Sequence, residues 1–121
     1  MTDANTIADR YIAIWNEADT ERRHALIAQA WTENCSYVDP MMRADNREQI
    51  HALVTAAHDR FPGFRFTLIT DGDRHGDNLR FSWGFGPADA EPVIKGTDFA
   101  ILEGDRLKSV HGFIDQLPAA A

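Results

Sequence analysis

The chain has 121 residues, the size of one domain with room for a substantial core. Its 44% hydrophobic and 26% charged residues match a folded globular protein and exclude a disordered one. Twelve basic against 19 acidic side chains give a formal charge of −7 without a basic patch, which argues against nucleic acid or an anionic membrane as partner.

In chain order, Met1-Thr2-Asp3-Ala4-Asn5 lacks the basic and apolar regions of a secretory signal. No segment approaches the length of a membrane span, so a cytoplasmic protein is the expectation. Ile7, Tyr11, Ile14, Trp15 and Ala18 recur at helical spacing and predict a first helix, capped by Asp3 or Asn5. A second, shorter helix starts near Asp19 or Thr20 and carries Leu26, Ile27, Ala30 and Trp31. The strand-like run Asn34-Cys35-Ser36-Tyr37-Val38 ends at Asp39-Pro40. Cys35 is the single cysteine, which excludes an intramolecular disulfide and a cysteine-based zinc site. Asn46 and Gln49 are spaced as a capping box for a third helix with Ile50, Leu53, Val54, Ala57 and Phe61 on its stripe, ended by Phe61-Pro62-Gly63.

The second half switches to a period of two. Phe64, Phe66 and Leu68 form one strand, and Leu79, Phe81, Trp83 and Phe85 another, across a turn-rich segment from Asp71 to Asn78. Strands over Val93–Leu102 and from Arg106 to about Leu117 follow, joined by Glu103-Gly104-Asp105. Short turns between consecutive strands require antiparallel neighbours. The expected fold class is therefore α+β, one domain over 1–121 with three N-terminal helices covering one face of an antiparallel sheet. The tail Pro118-Ala119-Ala120-Ala121 is expected to fray.

Two features point beyond architecture. The Val93–Leu102 strand is apolar on both parities, so something other than the helices must cover its second face. A second copy of the sheet across a two-fold axis supplies that cover, which predicts a homodimer through the sheet face. Asp39 shares its strand face with Cys35 and Tyr37. A carboxylate in such company acquires a partner or a raised pKa, the raw material of proton transfer, while Asp-Pro also serves as ordinary turn punctuation. Asp98 shares a face with Ile94, Ala100 and Leu102, where a lone charge is costly, so it is neutral or paired with Arg80 or Lys95.

Arg10-Tyr11-Ile12-Ala13 with Asn16-Glu17-Ala18-Asp19, Tyr37-Val38-Asp39-Pro40, Gly96-Thr97-Asp98-Phe99 and Gly112-Phe113-Ile114-Asp115 carry a resemblance over nearly the whole chain. The chain resembles the nuclear transport factor 2-like superfamily, which includes the ketosteroid isomerases and the SnoaL-like polyketide cyclases. The resemblance implies a cone: a strongly curved sheet wrapped around the helices, with an apolar cavity open at one end. It further implies, by position, Asp39 as general base with Tyr11 and a neutral Asp98 as donors to an enolate oxygen. In SnoaL-like cyclases an acidic residue late in the last strand does this work, which makes Asp115 the rival to Asp39.

Alternation places His111 and Asp115 on one face of the last strand with Leu107 and Phe113. Trp15, Trp83, His111, Phe113 and Asp115 are the expected substrate-binding residues around the three catalytic candidates. His51 and His58 stand seven apart on the third helix without a carboxylate motif to complete a metal site, so no metal and no cofactor is expected. Arg65, Arg80 or Lys95 facing the cavity would favour an anionic ligand. The expected partner is a small apolar or aromatic carbonyl compound, and a non-catalytic binding or dimerisation module of the same fold is the alternative.

Overall fold

The computed structural model describes residues 3–118, so residues 119–121 of the expected frayed tail lie outside the described residues. Helix α1 (Ala4–Asn16) starts at Asp3, whose carboxylate accepts from the Thr6 N–H at 2.8 Å. Ile7, Tyr11, Ile14 and Trp15 form its buried stripe. Ala18 does not join them, because the helix ends at Asn16 and Ala18 is exposed. Helix α2 (Thr20–Ala30) is capped by Asp19. Its buried Arg23 donates to the Glu17 carbonyl at 2.8 Å and to Thr55 Oγ1 at 2.7 Å, tying the α1–α2 link to the third helix.

Strand β1 (Trp31–Val38) follows α2 without a loop, three residues earlier than alternation suggested. Trp31 is thus a strand residue and not the end of the helix: Ala30-Trp31 has no Gly or Pro to separate the two periods. After the short β2 (Arg43–Ala44), helix α3 (Arg47–Arg60) starts at Asn46, whose side chain accepts from the Gln49 N–H at 2.9 Å. Gln49 reaches back to the Asp45 N–H at 2.8 Å, a capping box displaced by one residue.

Strands β3 (Phe64–Leu68), β4 (Asp73–His75), β5 (Asn78–Pro87), β6 (Ile94–Glu103) and β7 (Arg106–Gln116) complete a curved sheet of order β2-β1-β7-β6-β5-β3, with β4 paired to β5. Strand β4 lies inside the segment expected to be turn-rich, where no strand was expected. The β3/β5, β5/β6 and β6/β7 pairs are antiparallel as expected, but β1 runs parallel to β7. The sheet is therefore mixed. Strand β1 reaches β7 only through α3 and five other strands, so the rule for short turns does not govern that pair.

The concave face carries Leu79, Phe81, Trp83 and Phe85 from β5 and Gly96, Asp98, Ala100 and Leu102 from β6, against the stripes of α1, α2 and α3. Gly96 is required here, because a Cβ at this position would collide with the Trp83 ring and with the Phe113 carbonyl. Strand β7 breaks its alternation. Leu102 pairs with Leu107 but Ile101 with Ser109, so Lys108 is an extra residue and the parity flips after it. Leu107 thus faces inward together with Val110 and Gly112, while His111, Phe113 and Asp115 face outward. That corrects the expectation that these three share a face with Leu107. Among the described residues no helix is long and apolar enough to cross a membrane.

Candidate functional site

At the open end of the cone lies a cavity of about 110 Å³, lined by α1, the end of β1 and its loop, α3 and the concave sheet face. Its wall is mostly apolar, and half of the lining is aromatic: Tyr11, Trp15, Tyr37, Phe61, Phe66, Trp83 and Phe85. The residues with polar groups are Asp39, Asp98, the two tyrosines and, through their indole N–H groups, Trp15 and Trp83, and no Lys, Arg or His is part of the lining among the described residues.

Asp98 is brought inside by the β6 pleat and is only 2% exposed. Its Oδ1 accepts from Trp83 Nε1 at 2.9 Å, a cross-strand bond from β5. Burial pushes this carboxyl from its ordinary value of 3.8 up to about 6, the nearby Asp39 charge adds to the rise, and Trp83 with the adjacent Tyr11 hydroxyl offsets part of it. Arg80 does not neutralise it, being paired with Asp73 at 3.1 Å on the surface, and Lys95 is not in the lining. Around pH 6 the Asp98 carboxyl is therefore present in both its donor and its acceptor form.

Tyr11 is set on the buried face of α1 by helical spacing, close enough to Asp98 to couple to it. Burial, then the Asp98 charge, holds the Tyr11 hydroxyl well above its ordinary range, and the same two causes act on Tyr37. Both phenols therefore stay protonated and remain donors.

Asp39 lines the cavity just after β1 ends, where Pro40 favours extended backbone before it. Its Oδ2 accepts from the Tyr37 hydroxyl at 2.6 Å, a length typical of a hydroxyl on a carboxylate. Its Oδ1 accepts from the Met41 and Met42 N–H groups, each at 2.8 Å. Asp39 is thus both turn punctuation and a cavity carboxylate, and the two readings are compatible. Gly112 on β7 makes room for the cluster: a Cβ there would meet Asp39 Cβ and Asp98 Oδ1, each at 3.1 Å, and Tyr37 Oη at 3.5 Å.

Of the expected site residues, Tyr11, Trp15, Asp39, Trp83 and Asp98 line one cavity. His111, Phe113 and Asp115 lie outside it, on the convex side of the sheet, because of the extra residue in β7. Asp115 there accepts from Thr97 Oγ1 at 2.7 Å, and His111 pairs across the sheet with Phe99. Arg65, like Arg80 and Lys95, is absent from the lining. His51 stacks on His24 at 4.0 Å, and His58 Nε2 sits 2.8 Å from the Trp15 carbonyl, so the two histidines have separate neighbours. No metal-binding cluster occurs among the described residues. Tyr37 escaped the sequence reading as a site residue, although its i, i+2 spacing to Asp39 already put both on one strand face.

The SnoaL-like domain family matches residues 8–110 of the chain. The chain belongs to the SnoaL-like family. Among solved structures it is similar to a SnoaL-like family protein from Agrobacterium tumefaciens strain C58, for which an isomerase role has been suggested, at 46% identity. That match covers 95% of this chain and 99% of that one, with a TM-score of 0.89. A ketosteroid isomerase-like protein from Catenulispora acidiphila, crystallised with trimethylamine, is 17% identical over 91% of this chain and 85% of its own, with a TM-score of 0.75. A suggested polyketide cyclase from Sinorhizobium meliloti is 14% identical over 88% and 93%, with a TM-score of 0.69. At these last two identities the likeness concerns the fold alone, which is nuclear transport factor 2-like. No curated protein matches the chain.

Proposed function

We propose that this SnoaL-like protein binds a small, uncharged carbonyl compound and moves a proton on it without a cofactor. Asp39 removes the proton from the carbon beside the carbonyl, and Tyr11 and protonated Asp98 donate hydrogen bonds to the oxygen as charge develops there. The observation that carries this reading is that all three groups line one mostly apolar cavity, with Asp98 raised to about 6 by burial. The absence of Lys, Arg and His from the described lining disfavours a permanently anionic ligand. A cavity of about 110 Å³ suits a ligand end about one ring in size.

The test is the isomerisation of 3-cyclohexen-1-one, a one-ring β,γ-unsaturated ketone, to its conjugated isomer, followed by ultraviolet absorbance. The wild-type protein should accelerate it, and Asp39→Asn should remove most of that rate with the fold intact. Equal rates for both proteins would overturn the assignment of Asp39.

We further propose that two copies associate through the convex face of β6 and β7, where Phe99 is 36% and Phe113 59% exposed beside half-buried Ile101. Sedimentation should show a dimer that Phe113→Asp dissociates. A monomeric wild-type protein would refute it.

A further inference from the structure

Trp15 is 5% exposed and lines the cavity, yet its indole N–H has no hydrogen-bond acceptor among the described residues. An unpaired buried donor is uncommon in a folded protein and calls for an explanation, of which a bound ligand is one. The position of this donor is well determined. Trp15 stands one helical turn after Tyr11 on α1, and its ring packs 6.3 Å from that of Tyr11, 5.7 Å from Tyr37 and 5.4 Å from Phe66. Its backbone carbonyl is engaged by His58 at 2.8 Å. The indole nitrogen lies near enough to the Tyr11 hydroxyl to offset a little of the rise in its pKa, but not at hydrogen-bond distance and angle. Trp31 also has an unpaired indole N–H, but it is fully buried in the core and is not part of the lining.

Two neighbouring donors without hydrogen-bond geometry between them, on the wall of a cavity that also holds Asp98, share a natural target: one ligand oxygen. We propose that Trp15 is a further catalytic residue, its indole N–H donating to the same substrate oxygen that Tyr11 and Asp98 engage. This inference rests on the carbonyl reading given above. It makes the substrate oxygen three-coordinate in the transition state, which excludes carbonyls shielded by bulky groups on both sides.

The test uses 4-nitrophenol, a planar one-ring probe whose ionised form absorbs visible light. Donors aimed at its oxygen favour the ionised form, so the pH midpoint of the bound probe reports how many are present. Two replacements remove the Trp15 N–H: Trp15→Phe, and Trp15 exchanged for β-(benzothiophen-3-yl)alanine, which keeps the bicycle and guards against a packing defect. Each should make the bound probe about tenfold less ionised at a given pH, the loss expected for one hydrogen bond to a charged oxygen. In the wild-type protein the Trp15 indole NMR signal should move on adding probe, and that of Trp31 should not. If Tyr11→Phe lowers ionisation and the two Trp15 replacements do not, this inference fails while the donor role of Tyr11 stands. If none of them changes it, or the probe does not bind to the wild-type cavity, both fall.

Discussion

Replacing Asp98 by Asn isolates the cost of holding a carboxylate inside the cone. The shift from 3.8 to about 6, at roughly 1.4 kcal/mol per pH unit, corresponds to about 3 kcal/mol. Because the folded-state value is raised, between these two pH values the native state binds more protons than the unfolded chain. Asp98 therefore leaves stability intact below about pH 3.8 and lowers it as pH rises through about 6. Asn retains an oxygen to accept from Trp83 Nε1, now at 2.9 Å, and does not ionise. The variant should thus gain on the wild type by about 2 kcal/mol between pH 4 and pH 7, whatever constant offset the substitution introduces. Carboxylates remote from Asp98 titrate in both proteins and cancel in the difference, while Asp39, which is coupled to Asp98, contributes to it. Urea unfolding at steps of pH across that range measures it. A wild-type-minus-variant difference independent of pH would show that Asp98 ionises as it does in an open chain, and the donor role assigned to it would be lost.

Two further substitutions probe how the site is held. Gly112→Ala puts a Cβ 3.1 Å from both Asp39 Cβ and Asp98 Oδ1, so turnover should fall by about tenfold or more while stability drops by only about 1–2 kcal/mol; unchanged kcat/KM would show that the two carboxyls need not approach each other. Asn16 clamps α1 to β3 through two bonds with the Phe66 backbone, each 2.8 Å. Asn16→Ala should cost about 2–3 kcal/mol in urea unfolding and speed exchange of the Phe66 amide, and an unchanged amide would refute the clamp.

The parts of this fold that were legible in the sequence are those governed by local period and local chemistry. Ile7, Tyr11, Ile14 and Trp15 define one helix face by spacing alone, and Asp3, Asp19 and Asn46 cap helices by the ordinary chemistry of short polar side chains. Asp98 was conspicuous because it interrupts the apolar series of Ala100 and Leu102, and the cavity wall is where it lies. What escaped depends on pairing between distant segments. The parallel match of β1 to β7 is a non-local choice that no turn residue announces. The extra Lys108 in β7 has no compositional mark, yet it turns His111, Phe113 and Asp115 to the outside. The Tyr37–Asp39 bond was hidden for another reason: strand spacing puts both residues on one face, but only the loop through Met41 and Met42 bends the carboxylate back onto the hydroxyl.

The most direct measurement of proton transfer in the cavity is the exchange of hydrogen for deuterium beside the carbonyl of cyclohexanone in D2O, followed by NMR. It should be run with the wild-type protein, Asp39→Asn and Asp115→Asn. Catalysed exchange that Asp39→Asn abolishes and Asp115→Asn preserves is the expected result, since Asp39 lines the cavity and Asp115 faces away from it. Exchange that survives Asp39→Asn but is lost in Asp115→Asn would contradict the proposed chemistry and move it to the other side of the sheet.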